Sequence, residues 1–358
     1  MIFNFSFSLR VFINNFPVVK LTKTCSKILC SYLLQKSYNH SSRKLLFSTS
    51  KRGIKNINCV TAIYFKGFVV QNILELENSQ SKGIQWITSI AVIAFHLMAI
   101  WALFTFSWQN LIAALIVWWA TNSWGIGMGY HRLLTHGGFK TPKSVEYFLT
   151  VCGTLALQSG SLQWVTTHRM HHAFTETERD PHSPRDGTFW AHIGWLMRGT
   201  ALSHDRETVR RYAPDLLKDR FHVVVSKYFF VTTIIAAAIL FIIGGWTMVL
   251  WGIFLRQVIG WHSTFLVNSA THLWGTRRFE TPDDSRNNAL IAALTFGEGW
   301  HNNHHAHPRS ARHGLARYEF DINWIQIRFL EKIGLAKKVY AFELEEENTE
   351  TARASGTA

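Results

Sequence analysis

Between Gly83 and Tyr130 the chain runs for 48 residues without a Lys, Arg, Asp or Glu. The run reads "GIQWITSIAVIAFHLMAIWALFTF", then "SWQN", then "LIAALIVWWATNSWGIGMGY". Each apolar part approaches the ~20 residues that a helix needs to cross a bilayer core of ~30 Å, and the short polar break reads as a tight turn between them. A second such pair follows: "YFFVTTIIAAAILFII", a "GGW" break, and "TMVLWGIFLRQVIGWHSTFLVNSA". Hydrocarbon offers no partner for free backbone groups, so runs of this kind form helices. The expected fold is all-α and integral to the membrane, with four transmembrane helices in two hairpins. Arg256 and His262 fall inside the fourth run, where ionisable groups face a protein interior or a polar cavity.

Charge sets the expected orientation. The two hairpin turns carry no Lys or Arg, whereas the N-terminal segment, the 131–227 loop and the C-terminal region carry nearly all of them. The positive-inside rule puts those three regions on the cytoplasmic or equivalent face. The net charge of +14 is itself uneven: residues 1–74 hold 11 Lys or Arg and no acid, leaving 26 basic and 23 acidic residues for the rest. The basic pI is thus a property of the N-terminus, and the body of the chain has no basic stripe of the kind that grips nucleic acid. Residues 1–74 read as a basic, Ser-rich extension, either a transit peptide, a disordered segment or a product of the start site. Residues 75–340 read as the catalytic membrane domain, and 341–358, "AFELEEENTETARASGTA", as a disordered tail. Four cysteines without a CxxC pair imply structural thiols. Between the hairpins, "SVEYFLTVCGTLALQSGSL" is too short and too polar to span and is expected at the interface.

The chemistry is carried by histidine. Of 18 in the chain, eight fall in three clusters: "HRLLTH" (His131, His136), "HRMHH" (His168, His171, His172) and "HNNHH" (His301, His304, His305). In the second and third the spacing is i, i+3, i+4, which puts three imidazoles on one helical face. His131 and His136 are five apart, which an α-helical face does not align, so a helix end or a bend is expected there. Neutral imidazole suits Fe, Cu, Zn and Ni. Eight ligands are too many for one tetrahedral zinc, and fit two metals with four or five nitrogens each. No HExxH is present, which argues against a zinc protease. Asp180, Glu298 and Glu176 are candidate acceptors for the ligands' second ring N–H, and His182, His192, His307 and His313 flank the clusters as further orienting groups. His96 is expected to be packed or hydrogen-bonded within its span; His40, His204 and His222 are expected in solvent.

Taken together, "GYHRLLTH", "THRMHHAFTETERDPHSP", "NSATHLWG" and "GEGWHNNHHAHP", in this order, resemble the membrane fatty acyl desaturases of the Δ9, stearoyl-CoA desaturase-like class, over roughly residues 84–340. The resemblance implies four transmembrane helices under a cytosolic helical cap that holds two irons, and O2-dependent removal of two hydrogens from an unactivated acyl chain to leave a cis double bond. It adds a ninth ligand, His272 of "NSATH", and a position, Asn268, that binds iron through a water. It implies a kinked acyl tunnel, with Gln158, Trp164 and Thr264 around the kink and Trp119 and Ser123 closing the far end, three and two α-helical turns before His131. The implied partners are an acyl-CoA or acyl-lipid substrate, the bilayer and an electron donor of the ferredoxin or cytochrome b5 type, with no nucleic acid. One departure bears on the substrate. Where acyl-CoA-using animal members carry charges before the second histidine cluster, this chain has "QWVTTH", which is more similar to bacterial, cyanobacterial and plastid members, some of which act on acyl-lipids.

Two other readings compete. A di-iron hydroxylase would use the same cluster to add oxygen. A metal transporter would place its ligands within the spans near the midplane, and here they gather at span ends and in loops.

Overall fold

The computed structural model describes residues 83–198 and 204–344. The expected basic extension and nearly all of the expected acidic tail lie outside these residues, as does His40. Among the described residues the regular structure is helical, with only isolated β-bridges beside it.

Helix α1 is Trp86–Ala102 and α2 is Trp108–Thr135. The turn between them ends at Ser107, whose side chain accepts the backbone N–H of Asn110 and so caps α2. A long apolar helix, Phe229–Leu273, is interrupted at Gly244 and Gly245. Gly245 sits at φ 67°, ψ −163°, a combination open to glycine alone. We call the arms on either side α5 (229–243) and α6 (246–273). Leu240 of α5 packs back on Met248, Val249 and Ile253 of α6, so the arms fold against each other. Helix α6 is central: α1, α2 and α5 all pack around its 250–255 turn, where Leu250 and Trp251 are buried with Ala102 and Ala114.

The outer faces of these helices are apolar. Ile87, Ile90, Ile93, Leu97 and Ile100 on α1, and Ile234, Ile235, Ile239 and Ile242 on α5, are exposed. Water does not tolerate so continuous a surface, whereas hydrocarbon does. Two helices, Trp108–Thr135 and Phe229–Leu273, are long and apolar enough to cross a membrane, and the apolar α1 has 17 residues.

Helix α3 is Lys143–Thr154 and α4 is Ser161–Phe174. Helix α3 lies so close to α2 that a Cβ on Gly125 would stand 2.4 Å from the backbone nitrogen of Gly153. Small residues at such a crossing let two helices meet backbone to backbone. His222 lies in the short helix Arg220–Lys227 and is fully buried: it bonds Glu146 at 3.0 Å and Ser161 at 3.1 Å, tying α3 to α4 instead of facing solvent. His204 likewise bonds Thr167 at 2.8 Å. Polar neighbours inside the cap, invisible in the local sequence, recruit both rings. Helices α7 (His301–Ala306) and α8 (Ile322–Lys332) complete the cap, and α8 starts at Asp321, whose carboxylate accepts the N–H of Trp324.

Candidate metal centre

The cap gathers histidines from four helices. From Trp119 to Thr135, α2 is wound with i→i+5 hydrogen bonds, the last of which, His136 N–H to His131 O, is 3.2 Å. In this wider winding a residue five further on stands about one turn above, on the same side. That winding, with the expected helix end at Thr135 and His136 as its cap, brings the rings of His131 and His136 to 4.9 Å between centroids. Wide turns of this kind are concentrated at functional sites. Helix α4 contributes His168, His171 and His172, α7 contributes His301, His304 and His305, and the end of α6 contributes His272.

These nine side chains sort into two sets. Ring nitrogens of His131, His136, His168, His172 and His304 lie within 4.8 Å of one another, as do those of His171, His272, His301 and His305. Each of the two i, i+3, i+4 triplets is therefore split between the sets. Within the first, Nε2–Nε2 distances are 3.1 Å (His131–His304), 3.0 Å (His304–His172) and 3.2 Å (His172–His168); within the second, His272 and His301 stand at 3.1 Å. Two nitrogens at a right angle around an ion with bonds of ~2.1 Å are ~3.0 Å apart, so the spacing fits ligands that share an ion. The buried Nε2 atoms of His136 and His305 have no hydrogen-bond partner among the protein atoms, which leaves their lone pairs free for a cation.

Carboxylates fix the ring orientations. Nδ1 of His131 bonds Glu298, Nδ1 of His171 bonds Asp180 at 3.0 Å, Nδ1 of His272 bonds Glu176 at 2.8 Å, and Nδ1 of His305 bonds Asp283 at 2.8 Å. Each such bond holds the proton on Nδ1 and turns the Nε2 lone pair inward. Burial, reinforced by neighbouring imidazoles, pushes His168, His172, His301 and His304 well below the usual histidine range. Burial lowers His305 to about 4, with the bond to Asp283 opposing the shift. Neutral rings are the ligand form. Burial pushes the Glu298 carboxyl up, but Arg132 and His131 outweigh it and hold it well below the carboxylate range. Asp180 is lowered in the same way by His171 and His182 against the effect of burial.

A cavity is lined by members of both sets. Its walls include His131, His168, His182, His301 and Asn268, with Gln158, Trp164, Thr264 and Val267 on one side and Asn122, Ile126 and Thr295 on another. It is mostly apolar and reaches both histidine sets.

These features can be compared with known proteins. Residues 106–322, more than half of the chain, match the fatty acid desaturase family. The chain belongs to the fatty acid desaturase family. It is an oxidoreductase that introduces a double bond into a fatty acyl chain. The sn-1 stearoyl-lipid 9-desaturase of Anabaena variabilis is 42% identical over 268 residues, covering 74% of this chain and 97% of the relative. The sn-2 palmitoyl-lipid 9-desaturase of Nostoc sp. (strain 36) is 43% identical over 264 residues, covering 74% and 93%. The icosanoyl-CoA 5-desaturase of Limnanthes douglasii is 44% identical over 252 residues, covering 70% and 71%.

In this desaturase Gln158, Trp164, Thr264 and Asn268 line the cavity, while Trp119 and Ser123 do not. Trp119 is 47% exposed and donates its indole N–H to Gln326 at 3.0 Å; Ser123 is buried and donates to Asn323 at 2.7 Å. The cause is the same wide winding. Counting α-helical turns back from His131 leads to Ser123 and Trp119, whereas turns of four to five residues lead to Ile126 and Asn122, which do line the cavity. Of the flanking histidines, His182 packs on His171 with centroids 4.4 Å apart, and His313 on His304 at 4.5 Å. His192 instead bonds His262 at 2.9 Å, which bonds His96 at 3.0 Å, and His307 stacks on Phe342 at 3.5 Å. Asp283 escaped the sequence reading. It lies in a polar "PDDS" stretch 22 residues before His305, where nothing separates it from an ordinary loop acid. Arg132, buried between Glu298 at 2.8 Å and Asp321 at 3.0 Å, was hidden inside a cluster read only for its histidines.

Proposed function

We propose that this desaturase forms a cis double bond, at Δ9, in acyl chains carried on membrane lipids, with two irons held by the nine histidines. The observation that carries this is the division of His131, His136, His168, His172 and His304 from His171, His272, His301 and His305, with members of both sets lining one mostly apolar cavity. The five-histidine set would hold one iron. The four-histidine set would hold the other, with Asn268, one helical turn before His272, adding a contact through water. Bound iron supplies what no side chain can: oxidation of an unactivated C–H bond with O2, with two electrons from a ferredoxin or cytochrome b5-type donor. The balance is one CH2–CH2 unit, O2, two electrons and two protons going to CH=CH and two waters.

The protein's own groups position and shield. Gln158 donates to Thr264 at 3.1 Å and accepts from Trp164 at 3.3 Å, a polar brace across the cavity wall that would set the bend of the chain. The apolar walls exclude water and fix which carbons lie beside the histidines. Burial keeps the rings neutral, and the carboxylates at Glu298, Asp180, Glu176 and Asp283 keep them aimed. Ile126 and Asn122 would close the far end of the cavity. The exposed apolar faces of α1, α2, α5 and α6 support four crossings, with the cap on the cytoplasmic or equivalent face. The lipid carrier is supported by the uncharged "QWVTTH" and by the lipid-type relatives. The test is the fatty-acid profile, with double-bond positions and lipid classes, of a desaturase-deficient host expressing the chain beside His304→Ala. Δ9 cis-monoenes in membrane lipids from the wild type alone are expected. Hydroxy acids, or monoenes confined to the acyl-CoA pool, would contradict the reading.

A further inference from the structure

Four exposed cations, Lys140, Arg309, Lys337 and Lys338, lie on segments joined by backbone bonds. Lys140 and Lys337 are paired across an antiparallel bridge in which each N–H bonds the other's carbonyl at 2.8 Å. Directly paired residues of this kind have Cα atoms ~5.5 Å apart and side chains on one face. Like charges so placed repel. Arg309 is brought in by the next rungs, where Tyr340 N–H bonds Gly138 O at 2.8 Å and Ala311 N–H bonds Tyr340 O at 2.7 Å; its guanidinium lies 5.6 Å over the Tyr340 ring. Lys338 follows, held at φ 49°, a left-handed conformation that costs a lysine energy. All four are exposed, and among the described residues none of them has an ion pair. Chain segments from three parts of the sequence thus bring positive charge together, and an anion sharing the patch would relieve its repulsion.

We propose that Lys140, Arg309, Lys337 and Lys338 form a site for the phosphate-bearing headgroups of anionic membrane lipids. The patch continues an apolar face. Ile325, Phe329 and Ile333, four residues apart along and just beyond α8, are 50%, 60% and 50% exposed, and Leu335 is exposed between them and Lys337. An apolar helical stripe with cations at its edge is the pattern of a helix lying at the headgroup level, where cations are attracted to an anionic surface. The inference rests on the membrane reading of the spans. It assigns the cap a fixed seat on the bilayer, so that the cavity is presented to lipid-borne chains at constant height.

The test uses the full-length iron-loaded protein in nanodiscs of phosphatidylcholine alone or with phosphatidylglycerol, with the melting temperature followed by tryptophan fluorescence. The wild type should melt higher with phosphatidylglycerol, and 0.5 M NaCl should erase the gain. Lys140→Gln/Lys337→Gln should lose the gain while melting slightly above wild type in phosphatidylcholine, because its lysine repulsion is gone; Lys218→Gln, an exposed lysine elsewhere, should keep it. Inorganic phosphate at millimolar concentration should not reproduce the gain. An equal phosphatidylglycerol gain in the double variant overturns the site. So does an effect of free phosphate equal to that of the lipid. Equal melting in both discs, with the lysine variants losing stability in each, would show that the patch is filled by another anion such as the glutamates at 343–350. Retention of wild type and variant in carbonate-washed membranes checks the membrane reading separately.

Discussion

The five-histidine and four-histidine sets are built from the same side chain and differ in what stands behind them. Behind His131 of the first is Glu298, held by Arg132, which has no exposed side-chain surface, and by Asn323 at 2.8 Å. Behind His272 of the second is Glu176, which also accepts the backbone N–H of Asp284 at 2.8 Å and pairs with Arg185, 56% exposed. Behind His171 and His305 are Asp180 and Asp283, both in loops of the cap. The first set is thus fastened to a buried ion network that also pins α8 through Asp321, and the second to buried carboxylates of which Glu176 pairs with an exposed arginine. The cation behind Glu298 is closed off from water, and the one behind Glu176 reaches it. The same ligand chemistry should therefore fail differently when its support is removed.

The largest effects should come from the ligands and be equal on the two sides. His304→Ala and His301→Ala should each abolish product, by about 100-fold or more, measured as monoene formed per chain, while leaving membrane insertion intact. Unequal loss would mean that one set is not needed for the reaction. Next comes the difference between the supports. Glu298→Gln takes the charge away from the bonds that Arg132 and His131 make to it, leaves buried Arg132 to Asp321 alone, and should cost about 1–3 kcal/mol of stability, read as a fall in melting temperature. Glu176→Gln leaves Arg185 able to reach water, so stability should change little and iron affinity should fall about 10-fold or more. Similar melting of the two variants would erase the distinction between the buried and the exposed arginine.

Acid should reveal burial in both sets. In iron-stripped protein, His305 and His313 titrate at about 4 when folded because burial opposes their charge, against ~6.5 when unfolded. The unfolded chain therefore binds more protons in that window. The stability these rings contribute is fully present above pH ~6.5 and is lost as pH falls towards about 4. Melting temperature against pH checks this, and a flat profile from pH 7 to 4 would contradict it. The smallest effects should fall on chain length. Ile126→Trp should shorten the acyl chains accepted, and Trp119→Ala should leave the length profile unchanged, both read from product chain lengths. A longer product from Trp119→Ala would return the far end of the cavity to the position that α-helical counting suggests.

Much of this was legible in the sequence, for identifiable reasons. Helices and their apolar faces follow from local composition, and the i, i+3, i+4 triplets follow from helical geometry, so eight ligands could be read from spacing and the ninth, His272, from resemblance. What spacing could not carry was the winding of α2. Its i→i+5 bonds decide that His131 and His136 align, and they move the cavity wall from Ser123 and Trp119 to Ile126 and Asn122. Nor could it show that each triplet is shared between two sets, since His171 and His304 part from their neighbours only when α4 and α7 are laid side by side. Asp283 and Arg132 act through contacts 22 and 166 residues away along the chain, and their local sequence is that of any loop acid or span-end arginine. His222 was misread because the residues that bury it, Glu146 and Ser161, lie on other helices.

The most direct test of the account is the iron content of the purified wild type beside His304→Ala and His301→Ala, with the metal identified by elemental analysis and its pairing by Mössbauer spectroscopy. Two coupled irons per chain in the wild type, and at least one lost in each variant, is the predicted result. One iron per chain, or a full complement retained when either set loses a ligand, would contradict the division of nine histidines into two metal sites.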